Sequence, residues 1–198
     1  LDKLFATARL LQNWLAFCAK EISLSVPPEL LKVMEEKFHR KSNNITTHPG
    51  SENEHDIAID SVPYPMTLVG WTNPVGFPAI QPYRKKSIHQ LKTTLQTVSI
   101  WLPNETIACD VHKQLTGFPP NFIHSLDASH MFMTAIESYK AGLTFASVHD
   151  SFWTHASDIP QLNKILRNEF VKLHKENVME KLREEFLEKY GKNCVPVL

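Results

Sequence analysis

The sequence predicts an α+β chain, mostly helical, with a β-hairpin that carries an aspartate at its bend and a few further short strands. Three observations lead there. Apolar residues recur at spacings of three and four over long stretches, which is the helical period. Short β-prone runs bounded by Pro, Gly and Asn interrupt these stretches. In residues 142–155 (GLTFASVHDSFWTH), an apolar run through Phe145, Ala146 and Val148 meets His149-Asp150, and Phe152-Trp153-Thr154 follows at once. That pattern reads as two strands joined by a tight turn with a carboxylate at the tip.

The elements follow in chain order. Leu4, Ala8, Leu11, Leu15, Cys18 and Ile22 form one apolar stripe on a helix over residues 2–22. Pro27-Pro28 stops it, and Pro28 suits the first position of a second helix through Leu31, Met34 and Phe38. Residues 40–61 are polar, free of aromatics and rich in turn-forming pairs, so a solvated loop or insertion is expected there. Residues 67–71 and 77–83 read as strands around the Asn73-Pro74-Val75-Gly76 turn. Residues 95–102 alternate like a strand, and Pro103-Asn104 turns it. Residues 106–115 form a helix that Gly117 ends; Pro119-Pro120 then opens a longer helix over 121–140. Phe122, Leu126, Met133 and Ile136 are its expected core residues, and Gly142 its C′ residue. Asp158 is expected to cap a helix carrying Ile159, Leu162, Leu166, Phe170 and Leu173. A last helix holds Val178, Leu182, Phe186 and Tyr190, closed by Gly191.

Composition bounds the function. The 198 residues are 42% hydrophobic, enough for a sizeable core and against global disorder. Lys plus Arg and Asp plus Glu are 21 each, so nucleic-acid binding would need a local basic patch rather than net charge. The densest one is Arg84-Lys85-Lys86, with His89 and Lys92 after it; Lys and Arg supply the sequence-independent part of phosphate binding. Cys18, Cys109 and Cys194 form no CxxC pair, which argues against structural zinc or a disulfide framework and for a reducing compartment. No apolar run nears the ~20 residues of a membrane span, so no membrane partner is expected. Leu1 stands where an initiator Met would, and the chain is expected to be a piece of a longer protein.

Beside this basic cluster, two segments carry chemistry. Asp150 offers the hard oxygen that magnesium prefers, on a rigid hairpin, although one Asp alone cannot build a two-ion site. An ordinary Asp in a turn has the same sequence. In GFPPNFIHSLDASHM (117–131), Asn121 and His124 share a helix face, and both side chains can hydrogen-bond minor-groove acceptors. An Asn at a helix start is the plainer reading of that segment. His124, His130, His149 and His155 match no HExxH spacing, which leaves little for a histidine metal site.

Taken together and in order, these segments resemble the C-terminal part of the single-subunit, phage-type DNA-directed RNA polymerases, most closely the mitochondrial branch. WTNPVGFPAIQPY (71–83) is similar to that family's WTxPxGxPxxQxY segment. GFPPNFIHSLDASHM is similar to the helix before its palm hairpin, SVHDSFWTHASD (147–158) to its motif C, and ARLLQNWL (8–15) to an upstream helix. The resemblance covers most of the chain outside 29–61. It implies a C-terminal fingers and palm portion of a right-hand polymerase, laid out as a helical segment 1–39, a polar insertion 40–65 and a fingers/palm part 66–198. That last part would hold a specificity-type hairpin at 84–104 and the motif C hairpin at 143–155. It also implies two-metal nucleotidyl transfer with two Mg2+ ions. Asp150 would be the catalytic metal ligand, His149 would hold the RNA 3′ end, and the second aspartate would lie outside this chain. Asn121 and His124 would approach the minor groove; Arg84, Lys85 and Lys86 would meet nucleic acid. The implied partners are DNA template, RNA transcript, nucleoside triphosphates and mitochondrial transcription factors, in the mitochondrial matrix. The 84–104 stretch is not phage-like, and the 40–61 insertion departs from the family. The isolated piece is expected to be inactive.

Three rivals remain at this level. A related DNA polymerase palm would follow the His-Asp pair with Glu, where this chain has Ser151. An HD-type phosphohydrolase would place the pair inside a helix. A truncated product could bind nucleic acid without catalysis.

Overall fold

The computed structural model describes residues 5–32, 67–85, 88–101 and 107–193. The polar stretch 40–65, Lys86, the Pro103-Asn104 turn and Cys194 lie outside them, as do Met34 and Phe38 of the expected second helix. The described elements are helices and three separate two-stranded antiparallel pairs, an α+β arrangement with helix predominant. Internal contacts divide the chain into two units. One comprises Leu1–Val69, Gln81–Thr116 and Tyr190–Leu198; the other comprises Gly70–Ile80 and Gly117–Lys189.

In the first unit, α1 (Ala6–Leu24) buries Leu15 and Ile22 of the expected stripe and Ala19 outside it, while Leu11 and Cys18 are only partly buried. Ala8 is exposed. The helix ends before Pro27 because residues preceding a proline favour extended backbone. Ser25 is extended, with its N–H and hydroxyl both donating to the Ile22 carbonyl (3.1 and 2.7 Å). Residues 28–32 begin a further helical segment. The centre of this unit is a buried amide clasp. The Gln81 side chain donates to the Gln114 carbonyl and Oε1 (3.1 and 2.9 Å), and Gln114 Nε2 donates to the Gln81 carbonyl (2.9 Å). Gln114 Oε1 also accepts from the Val69 N–H, so these buried polar groups are satisfied mutually. Residues 83–85 run antiparallel to 108–110. Beyond them β3 (Ile88–Lys92) pairs with β4 (Thr97–Trp101). Only β4 was legible in the sequence as a strand.

In the second unit, β1 (Gly70–Thr72) pairs with β2 (Pro78–Ile80), both shorter than expected. Asn73 closes the predicted turn: its Oδ1 accepts from the Phe77 N–H at 2.7 Å, and Gly76 adopts φ +92°. The helix α2 (Val111–Lys140), which belongs to this unit from Gly117 onward, runs through Gly117, Pro119 and Pro120, where the sequence predicts a break. Prolines lack the ladder N–H and cost a helix roughly 3 kcal/mol. Burial offsets that cost: Phe118 and Phe122 are enclosed, with Phe118 meeting Trp71, Phe122 and Phe186 at ring-centroid distances of 5.2, 5.8 and 5.7 Å.

Ile136, expected in the core, is 52% exposed, and Leu126 and Met133 are only partly buried. The reason is a change of face. At roughly 100° per residue, Phe118, Phe122 and Ser129 lie on one side of α2, and Thr134 and Ser138 nearly opposite. All five are buried, so the helix packs one side in its first half and the other in its second. A single apolar stripe does not describe such a helix. Its end follows expectation: Gly142 sits at φ +72°, its N–H reaches the Tyr139 carbonyl, and the Leu143 N–H reaches Ser138. This is a Schellman closure.

After the hairpin at residues 146–153 come a 3-10 turn (Ala156–Asp158), α3 (Ile159–Lys175) and α4 (Val178–Tyr190). Asp158 stands at the N-cap of α3 but makes no side-chain cap; its carboxylate accepts the Ser157 hydroxyl instead. Leu162, Leu173, Leu182 and Phe186 are buried as expected, whereas Ile159 and Phe170 are exposed. Among the described residues no helix is long and apolar enough to cross a membrane.

Candidate functional site

The site is built on β5 (Ala146–Val148) and β6 (Ser151–Trp153), paired antiparallel in the register Ala146↔Trp153, Ser147↔Phe152, Val148↔Ser151. His149 and Asp150 are the whole loop. Two-residue hairpin loops need positive φ to match strand twist, and His149 supplies it at φ +53°. It is the one non-glycine residue in that region among those described. Histidine tolerates this region better than most side chains, yet it is a sparsely populated conformation. Asp150 and His149 are both exposed. The His-Asp pair therefore lies between strands and not inside a helix, which removes the phosphohydrolase rival.

One face of the hairpin is braced. Phe145 and Phe152 pack against each other at 5.9 Å, and the His130 ring of α2 meets Phe152 edge-on at 6.1 Å. His130 Nε2 lies 3.0 Å from the Leu166 carbonyl of α3, to which it donates, and its ring meets Phe170 edge-on at 5.5 Å. The opposite face carries Val148 and Trp153, 58% and 51% exposed. The tip thus projects from a strand pair anchored on one side.

Asn121 and His124 lie one turn apart in α2; Asn121 is partly buried and His124 exposed. Ser125, the residue after His124, is fixed, accepting the Trp71 indole N–H at 3.0 Å. Arg84 and Lys85 belong to the first unit. Arg84 donates to the Ile107 carbonyl at 2.8 Å, which occupies part of its guanidinium, and Lys85 is exposed. Lys86 lies outside the described residues.

Among the described residues no group of three or more His, Cys, Asp or Glu is arranged to hold a metal ion. Asp150 brings a single carboxylate. Magnesium is commonly held by one or two carboxylates and keeps waters and substrate phosphates as its other ligands. The donor chemistry of the tip fits one protein share of such a site.

A separate cleft of about 220 Å³ is lined by Thr72, Asn73, Phe122, Lys181 and Glu185 among others. It contains none of the site residues expected from sequence. Glu185 accepts both the N–H (3.1 Å) and the hydroxyl (2.7 Å) of Thr72 and pairs with Lys189. Burial pushes its carboxyl upward, but Lys189 and Thr72 more than offset this and hold it below the usual glutamate value. Sequence reasoning missed both this clamp and the bracing by His130, because neither contact has a local signature.

With this geometry in place, comparison gives the class: the family model described as DNA-dependent RNA polymerase matches residues 1–197, and the chain belongs to that family. The mitochondrial DNA-directed RNA polymerase of Schizosaccharomyces pombe is 41% identical over 190 residues, covering 96% of this chain and 14% of that protein. DNA-directed RNA polymerase 2A of Nicotiana tabacum is 41% identical over the full chain and 47% of its own length. DNA-directed RNA polymerase 1A of the same plant is 53% identical over 134 residues, 68% of this chain and 82% of that one. The chain thus spans about one seventh of the yeast relative and about half of the tobacco 2A protein.

Proposed function

We propose that this chain supplies the C-terminal fingers and palm portion of a DNA-directed RNA polymerase that transcribes the mitochondrial genome. The carrying observation is Asp150 at the tip of a two-residue hairpin, in a chain that belongs to this polymerase family. The names of relatives, mitochondrial in Schizosaccharomyces pombe and Nicotiana sylvestris, support the organelle, and the matrix is the compartment this reading assigns.

In this reading an RNA 3′-hydroxyl attacks a nucleoside triphosphate and pyrophosphate leaves, directed by a DNA template. Mg2+, when bound, supplies positive charge against the transferring phosphoryl group. The chain's own share is placement. Asp150 holds its carboxylate at a fixed height because the loop has no spare residue. His149, next to that carboxylate in the loop and at φ +53°, holds the RNA 3′ end in this reading. Asn121 and His124 present hydrogen-bonding groups to a minor groove. Arg84, Lys85 and Lys86 neutralise phosphates, and the hairpin within 84–104 faces nucleic acid. Mitochondrial transcription factors are the expected protein partners. The second aspartate of the pair belongs to another part of the polymerase, so the 198-residue chain alone should extend no primer.

The test is Asp150→Asn in the full-length polymerase, assayed by primed RNA extension on a DNA template. The variant is isosteric and should lose nucleotide addition by about 10³-fold or more while still binding template, since it removes charge at the reacting centre. Extension at the wild-type rate would refute the assignment.

A further inference from the structure

We propose that His130 is a positioning residue for nucleotide addition: it fixes the height of the Asp150 hairpin against α3. The inference rests on the reading of Asp150 above.

The five rings Phe145, Phe152, His130, Phe170 and His174 form one chain of contacts, at 5.9, 6.1, 5.5 and 4.1 Å in that order. Phe145 and Phe152 belong to the hairpin segment, and Phe170 and His174 to α3. His130 joins the two pairs. Among the described residues, the ring contacts between hairpin and helices run through it. The imidazole is half-buried, and its orientation is not left to packing: the Nε2–H donates to the Leu166 carbonyl at 3.0 Å. That bond holds the ring plane so that both phenylalanines are met edge-on, the favoured aromatic geometry.

The path to the tip is short. Phe152 is two residues from Asp150 on a paired strand, and strands rise about 3.3 Å per residue with little play. A loop of two residues cannot absorb a displacement of its strands. Losing the pin at His130 frees Phe152 to shift and moves the carboxylate with it. A displacement near 1 Å is enough to cost roughly 10²-fold in a positioned reaction.

The experiment uses the full-length polymerase carrying His130→Leu or His130→Gln, beside Asp150→Asn. Gln keeps an N–H donor for the Leu166 carbonyl; Leu has neither donor nor ring. Nucleotide addition, nucleotide KM, primed-template affinity and thermal midpoint are measured for each. His130→Leu should lower kcat by roughly 10- to 100-fold, with KM, template affinity and midpoint close to wild type. His130→Gln, which restores the bond to Leu166 but not the ring, should recover part of the loss. Wild-type kcat in His130→Leu, a Gln variant no better than Leu, or a kcat loss matched by the loss of folded protein would each overturn the proposal. Should His130→Leu not fold, His130→Phe takes its place: it keeps the ring contacts and lacks the donor, and an unchanged kcat there overturns the proposal equally. An active Asp150→Asn would instead overturn the underlying function.

Discussion

Replacing Phe118 by Ala, beside Ile136→Ala, measures which side of α2 carries the core. Phe118 is 0% exposed and touches three rings, whereas Ile136 is 52% exposed. Fully burying a phenylalanine stabilises by about 1.5–3 kcal/mol, and each aromatic pair adds about 0.5–1.5 kcal/mol. Part of the pair energy survives if the neighbours close in. The expected cost of Phe118→Ala is therefore about 4 kcal/mol, inside the range of about 3–5 kcal/mol known for such truncations. Ile136→Ala should cost about 1 kcal/mol or less, as half-exposed sites do. In urea titrations followed by tryptophan fluorescence, a slope near 2 kcal/mol per molar turns these costs into midpoint drops of about 2 M and below about 0.5 M. Trp71 reports directly, since its ring lies against Phe118. A larger drop for Ile136 than for Phe118 would refute the face change in α2 and restore the single stripe expected from sequence.

Three further outcomes are expected. Glu185, held below the usual glutamate value by Lys189 and Thr72 against its burial, stabilises the fold above that value of 4.5. The contribution is lost as pH falls through the lower folded value, so Glu185→Gln should reduce thermal stability at pH 7 and narrow its difference from wild type near pH 3; a difference that grows on acidification would contradict this. Gln114→Leu strips partners from Gln81 and the Val69 N–H, and should cost about 3 kcal/mol. Faster hydrogen exchange at Val69 would accompany it, and unchanged exchange there would sink the clasp. His149→Gly relieves the φ +53° strain but loosens the unfolded chain, two effects of roughly 1 kcal/mol each that oppose. Stability should stay near wild type while nucleotide addition by the full polymerase falls; a large loss of stability would show that the loop is not strained at His149.

The hairpin was legible because its signal is local. A β-prone run, a His-Asp pair and a second run specify strand, turn and strand within a few residues. Gly142 announced its Schellman closure by the same logic, since only a residue free of Cβ takes φ +72° without cost. Asn73 and the Asn-Pro-Val-Gly turn were equally plain. Asp150 and His149 could be singled out because the loop they occupy follows from these neighbours.

What the sequence alone determined about this protein is therefore its short-range grammar: which segments are helical, the turns, the Asp150 tip and the order of motifs. Tertiary structure decided the rest. Local rules break α2 at Gly117 and Pro119-Pro120; the enclosure of Phe118 by Trp71 and Phe186, residues far apart in sequence, carries the helix through. No spacing rule separates the buried Phe122 from the exposed Ile136, because α2 changes neighbours midway. Nor does any motif link His130 to Phe152 and Leu166, or Glu185 to Thr72. Such contacts join residues 22 to 113 positions apart, and periodicity carries information only over the few residues of a turn or strand.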